Sequence, residues 1–227
     1  MVRTVRPRML EIAASQEGFL TVEQLEQSWS RVDARTALRA MARAGELNEV
    51  VPGVWLHVVA DPAAGNIDVA ARAAWVALEP AVPLWERARR DRARPDCRAV
   101  IGGGAAYRRW GFGSSPWPAV VHLPAGTSLP PVPGEVGYVW DGRSAEDVSW
   151  FGPFPYIGVE AVLAGQFGYT VDFDEVALDL AEAHQRFGHL SMEALLRRLE
   201  VIAASNAWDG PLSAEAIFAA LLTRACR

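Results

Sequence analysis

The chain has 227 residues, 51% of them apolar, and a formal net charge of −5. No apolar run approaches the roughly 18 residues of a membrane span, and the basic start MVRTVRPRML has no apolar stretch behind it to make a signal peptide; the expectation is a cytoplasmic protein with no membrane partner. All 22 basic residues are arginine, which excludes the standard P-loop, the pyridoxal Schiff base and the carboxylate–carboxylate–lysine nuclease site, since each needs a lysine.

The charge is sorted along the chain. Residues 1–57 hold seven arginines against seven acids, residues 72–109 nine against four, and residues 110–227 six against fourteen. The N-terminal half can therefore meet an anion, while the C-terminal half is acidic.

The first helix is expected to open near Pro7, a residue suited to a first helical turn, and to carry Met9, Leu10, Ile12 and Ala13 up to Gly18. Thr21, with Gln24 three residues on, is a capping box for a second helix anchored by Leu25. Ser28 and Trp29 make the turn, and Ser30 caps a third helix with Asp33 in its first turn. On that helix Ala34, Ala37, Leu38 and Met41 follow the i, i+3, i+4, i+7 rule. Arg31, Arg35, Arg39 and Arg43 recur every fourth residue on a separate arc, with Thr36 beside them. Gly45 ends the helix, and Leu47 to Val51 and Val54 to Val59 form a hairpin around Pro52-Gly53, the signature of a type II turn. The order is that of a winged helix-turn-helix.

A helix with an apolar stripe on one side and four arginines on another fits a scaffold on the first and a polyanion on the second. The stripe contains no acid at the fourth-residue spacing, so pairing within the helix does not explain it. Arginine donates bidentately to phosphates and guanine edges. The candidate DNA-binding residues are Ser30, Arg31, Arg35, Thr36, Arg39 and Arg43, with Arg6 and Arg8 as an N-terminal arm alongside Arg3. A repressor built this way is expected to neutralise roughly four to six phosphates.

Gly18-Phe19-Leu20-Thr21, Gly45-Glu46-Leu47 and Gly53-Val54-Trp55 together resemble the N-terminal domain of the AbiEi-family antitoxins of type IV toxin–antitoxin systems. Ala106, Gly111, Phe112 and a strand over Ala119–Leu123 resemble a later stretch of that family, although Gly102 and Gly103 stand where it has a Ser-His-type start. The resemblance implies a transcriptional repressor that binds an inverted repeat in its own operator. It also implies a functional partner, a nucleotidyltransferase-type toxin, that is held in check without a stable complex.

Residues around 60–66 are expected to be a linker, dividing a winged helix-turn-helix domain (1–60) from a C-terminal domain (61–227) for toxin neutralisation or oligomerisation. A helix is predicted from Asp68 to Leu78, and an arginine-rich one from Trp85 to Arg94, which is either a solvated surface or a second phosphate contact. Gly102-Gly103-Gly104 before Ala105 reads as a strand-to-helix turn, with anion binding through its amides as the other reading. Strands are expected at Val120–Leu123 and Val136–Trp140, and the aromatic residues Trp150, Phe151 and Phe154 either pack the second domain or expose a contact patch. Three amphipathic helices follow: one on Val176, Leu180, Ala183 and Phe187, one capped by Ser191, and one capped by Ser213. The fold class is α+β, a winged helix-turn-helix followed by a mixed, mainly helical domain with a few strands.

His57, His122, His184 and His189 have no metal spacing, Cys97 and Cys226 no ligand spacing, and no catalytic motif emerges. The reading is of a non-enzyme with no cofactor. Two alternatives stand beside the repressor: an interaction adaptor built from the winged helix and the acidic C-terminal domain, and an enzyme using the Gly102–Gly104 turn.

Overall fold

The structure, a computed structural model, describes residues 2–60, 67–94, 96–97, 99–112, 117–129, 136–168, 172–187, 190–204 and 213–225. The expected linker beyond Ala60, His189 and Cys226 lie outside the described residues, as does the side chain of Arg3. The fold is mixed α+β, and the chain forms two compact units, Met1–Arg109 with Ser114–Tyr156, and Trp110–Gly113 with Ile157–Arg227.

The first unit begins with α1 (Val2–Ser15), β1 (Phe19–Thr21), α2 (Val22–Glu26), α3 (Arg31–Arg43), β2 (Leu47–Val51) and β3 (Val54–His57). The three strands form an antiparallel sheet in the order β1-β3-β2. Met9, Ala13, Leu20, Leu25, Ala34, Leu38, Met41 and Leu47 close one core beneath the helices. The capping box forms as expected: Gln24 N donates to Thr21 Oγ1 at 3.1 Å and Thr21 N donates to Gln24 Oε1 at 3.3 Å. α3 ends in a Schellman motif, with Glu46 N donating to Met41 O and Gly45 N to Ala42 O. Gly53 has φ +82°, as the second central residue of a type II turn requires. Pro7 departs from expectation, for it stands inside α1 rather than in its first turn. Its missing N–H leaves the Arg3 carbonyl without its helical donor.

The same unit continues with α4 (Ile67–Leu78), α5 (Leu84–Arg92), β4 (Asp96–Cys97), β5 (Val100–Gly102), α6 (Gly103–Trp110), β6 (Ala119–His122), β7 (Val136–Val139), β8 (Arg143–Ser144), β9 (Val148–Phe151) and β10 (Phe154–Ile157). Five strands line up as β7-β6-β5-β10-β9, with β6–β7 and β5–β10 parallel and β5–β6 antiparallel. Sequence periodicity revealed only β6 and β7. β5 has three residues and is buried throughout, too short and too uniformly apolar to show alternation. Phe154 and Tyr156 are core residues, with Phe154 edge-on to both Phe19 and Trp75. The aromatic segment is therefore internal rather than a contact patch at those positions.

The expected boundary at residue 60 does not separate compact units. Thr21 Oγ1 donates to Pro80 O at 2.6 Å, Gln24 Nε2 to Val82 O at 3.3 Å and Gln27 Nε2 to Ala81 O at 3.0 Å. Gln16 Oε1 accepts from Leu84 N and from Gln24 Nε2. The capping residues of α2 thus also hold the loop between α4 and α5, which no local pattern announces.

A polar network lies at the centre of this unit. The Tyr156 hydroxyl donates to Asp68, Arg72 Nε donates to the Tyr156 hydroxyl at 2.9 Å, and Arg72 Nη2 pairs with Asp68 Oδ2 at 2.7 Å. Both Asp68 oxygens, the Tyr156 hydroxyl and two of the three Arg72 nitrogens are matched, which is what makes burying such a set tolerable.

The second unit is helical among its described residues: α7 (Val159–Gly165), α8 (Phe173–Phe187), α9 (Met192–Ala204) and α10 (Ala214–Ala225). Ser191 Oγ and Ser213 Oγ accept from Ala194 N and Ala216 N, so both expected caps are present. Val176, Leu180, Ala183, Leu195, Leu199, Ile217 and Leu221 are buried, as their spacing implied. Among the described residues no helix is long and apolar enough to cross a membrane.

Two stability predictions follow from these contacts. Gln24→Ala removes the return arm of the capping box and strands the buried Gln16 amide, and denaturant titration should register a loss of about 2–3 kcal/mol. Burial first, then the Asp68 carboxylate, pushes the Tyr156 phenol above its ordinary 10.0. The stabilisation linked to that shift is complete below about pH 10 and is lost as pH rises through the folded value. Unfolding free energy should therefore decline above pH 10, more shallowly in Tyr156→Phe.

Candidate nucleic-acid interface

α3 is held by its apolar side. Ala34, Ala37, Leu38 and Met41 are buried, and Arg31, Val32, Arg35, Thr36, Arg39 and Arg43 are exposed. Ser30 caps the helix, accepting from Asp33 N at 3.2 Å, and its hydroxyl donates to Asp33 Oδ2 at 2.7 Å. Both hydrogen-bonding roles of that hydroxyl are occupied within the turn, so Ser30 sets the helix start rather than offering a free donor.

The arginines divide into two sets. Arg31 pairs with Glu26 at 3.2 Å and lies 3.7 Å from Glu23, both on α2. Arg6 makes a bidentate contact with Glu46, with Nε and Nη2 each 2.9 Å from Oε2, and Arg8 pairs with Glu11 at 2.8 Å. These three charges are compensated by the protein itself. Arg35, Arg39 and Arg43 make no ion pair among the described residues. The structure thus trims the candidate cationic set from the four-residue stripe and arm to three guanidiniums on one helix face. Glu23 and Glu26 sit on α2 and Glu46 in the turn after α3, which is why helix-local spacing did not disclose them, whereas Glu11 is three residues from Arg8 on α1 itself.

The hairpin carries no arginine between Leu47 and His57. Its one acid, Glu49, accepts from Gly53 N at 2.9 Å and stiffens the turn. Positive charge in the region therefore belongs to α3.

The arginine-rich α5 is neither a solvated surface nor a row of free cations. Arg87 is fully buried, stacked 3.4 Å above the Trp75 ring, donating to Trp75 O at 2.6 Å and lying 3.7 Å from Asp91. Arg90 grips Glu79 with two bonds of 2.7 and 2.8 Å. Arg92 donates to Gly152 O and covers the Trp150 ring. Arg89 is exposed and, of the four arginines on this helix, is the one with no ion pair, hydrogen bond or ring contact among the described residues.

At the glycine turn, Gly103 has φ +58°, and a Cβ there would lie 2.4 Å from Pro118 O. Gly104 N already donates to that carbonyl at 3.0 Å. The glycines serve a close crossing of two backbone segments, and an amide that an anion would need is taken.

His122 Nδ1 lies 2.9 Å from Asp141 Oδ1, and Arg143 Nη2 donates to Asp141 Oδ2 at 2.7 Å. Burial opposes ionisation of Asp141, but the bond and charge of His122, with Arg143 behind, hold its carboxyl below the usual range. Among the described residues no three of His, Cys, Asp and Glu converge as a metal site.

No protein-family model matches the chain, and neither does any curated protein.

Substitution should separate the structural arginines from the free ones. Arg87→Ala empties the buried space over the Trp75 ring, strips Trp75 O of its donor and leaves the buried Asp91 with Arg90 alone, 3.0 Å away, and should lower stability by about 3–5 kcal/mol. Arg89→Ala should stay within about 0.5 kcal/mol of the parent. Chemical denaturation of the two variants side by side measures both.

Proposed function

We propose that the protein is a sequence-specific double-stranded DNA-binding repressor in which α3 is the recognition helix and β2–β3 the wing. The observation that carries this reading is the set of three uncompensated guanidiniums, Arg35, Arg39 and Arg43, on the side of α3 opposite its buried stripe. The order helix, helix, helix, hairpin, with β1 completing the sheet, supports a winged helix. A recognition helix needs a fixed scaffold, a projecting face and phosphate-binding charge along it, and α3 has all three.

The resemblance at Gly18–Thr21, Gly45–Leu47 and Gly53–Trp55 extends the proposal to an AbiEi-type antitoxin that represses its own operon at an inverted repeat. Its functional partner is then a nucleotidyltransferase-type toxin, countered without a stable complex. In this reading α3 approaches the major groove, Arg35 and Thr36 nearest the base edges, with Arg39 and Arg43 along the phosphates. The adaptor reading draws on the acidic second unit, where Leu178 and Val201 are 68% and 64% exposed.

An electrophoretic shift with the DNA upstream of the gene, titrated with salt, tests the proposal. Three neutralised phosphates give a log K against log salt slope of about −2.7 per bound chain. Arg35→Ala or Arg39→Ala should weaken binding by about 1–3 kcal/mol where the side chain reads a base. Arg31→Ala, already compensated, should change it by less than about 1 kcal/mol. Unchanged affinity in the Arg35 and Arg39 variants would refute the assignment of α3, and salt-insensitive binding to a protein instead would favour the adaptor.

A further inference from the structure

One residue on the outward face of α3 has no place in a phosphate-binding surface. Val32 is 73% exposed, in the first turn of the helix. At about 100° per residue, Val32, Arg39 and Arg43 fall within about 20° of a single line, with Thr36 and Arg35 flanking it at about 40° and 60°. That line runs opposite Ala34, Ala37, Leu38 and Met41. A β-branched residue is a weak helix former, and at this exposure Val32 contributes little to the core. Folding therefore gives no reason for an aliphatic side chain at the centre of a cationic face.

We propose that Val32 is a specificity determinant that packs against the C5-methyl group of a thymine in the major groove. The inference rests on the DNA-binding reading above. The argument is one of complementarity. The edges of the four base pairs offer hydrogen-bond donors and acceptors that guanidinium and hydroxyl groups can meet, and the thymine methyl is the apolar feature among them. Val32 offers two methyl groups and no polar atom, and Arg35 and Thr36 stand one turn further along the same helix. The first turn of a recognition helix is the part that reaches base edges, and Val32 is its second residue. Charge complementarity brings the duplex to this face, and the valine then favours a base pair that places a methyl group beneath it.

The probe is a duplex recovered by the full chain from a library with a randomised core. Each thymine is replaced in turn by deoxyuridine, which deletes only the methyl group, and affinity is read by fluorescence anisotropy at fixed salt. At one position in each half-site the parent protein should bind the uracil duplex about fourfold more weakly, equivalent to the ~0.8 kcal/mol of one buried methyl group. In Val32→Ala that thymine-to-uracil ratio should fall to about one, while the salt slope stays unchanged. Alanine is the stronger helix former, so the variant keeps α3, and its circular dichroism melt verifies this. A ratio of one at every thymine for the parent, or the same ratio in parent and variant, overturns the role of Val32 and leaves DNA binding intact. Retention of no duplex, or of duplexes without sequence preference, overturns it together with the sequence-specific repressor reading.

Discussion

Ala34, Ala37, Leu38 and Met41 leave α3 one rotational setting about its axis. Turning the helix by a single residue, about 100°, would drive Arg35 in one direction or Asp33 in the other into the core beside Met9, Leu20 and Leu25. Burying either charge uncompensated costs several kcal/mol. The direction in which Arg35, Arg39 and Arg43 point is therefore a consequence of what the opposite side must bury. Ser30 and the Schellman hydrogen bonds at Gly45 and Glu46 set the two ends of the same helix, so its rotation and length are both determined locally.

Position in space is determined by contacts further along the chain. Thr21 and Gln24 complete a cap that belongs to α2, yet Thr21 Oγ1 and Gln24 Nε2 also hold the backbone carbonyls of Pro80 and Val82. One pair of side chains thereby satisfies a helix terminus and fastens the loop between α4 and α5. Buried amides cost free energy unless fully matched, and here Gln16, Gln24 and Leu84 N satisfy one another. α2 and α3 are in this way carried by a unit that reaches to Tyr156, and an isolated three-helix module would leave Phe19 and these amides exposed.

What could be read from the residues, and what could not, divides by the range of the interaction. The capping box at Thr21, the apolar stripe of α3, the turn at Gly53 and the caps Ser191 and Ser213 rest on neighbours within about four residues, and all are found. The partners of Arg6, Arg31 and Arg87 lie on other elements or below the surface, and arginine spacing carries no trace of them. α5 shows the limit most clearly. Its ERARRDRAR run looks solvated, but Arg87 lies sandwiched under Trp75 because the tryptophan face attracts its cation and Trp75 O accepts its proton. β5 and β10 were hidden for a related reason: a strand buried on both faces has no alternation to display.

The same sorting of charge by pairing alters how the protein can meet a polyanion. Arginine count places the greatest positive excess in residues 72–109, but Arg72, Arg87 and Arg90 are consumed by Asp68, Asp91 and Glu79. The N-terminal module is neutral by count, yet its acids Glu23, Glu26, Glu46 and Glu11 are spent on Arg31, Arg6 and Arg8. The positive charge that remains unpaired there among the described residues, on Arg35, Arg39 and Arg43, is gathered on one face of α3. A field made by three neighbouring charges on a rigid helix is local and directional, whereas the same charges scattered over the surface would be lost beyond a Debye length of about 8–10 Å. A net charge of −5 and a discrete cationic face are thus compatible in one chain, because the acidic excess lies in residues 110–227, with fourteen acids against six arginines, and not in the segment that carries that face.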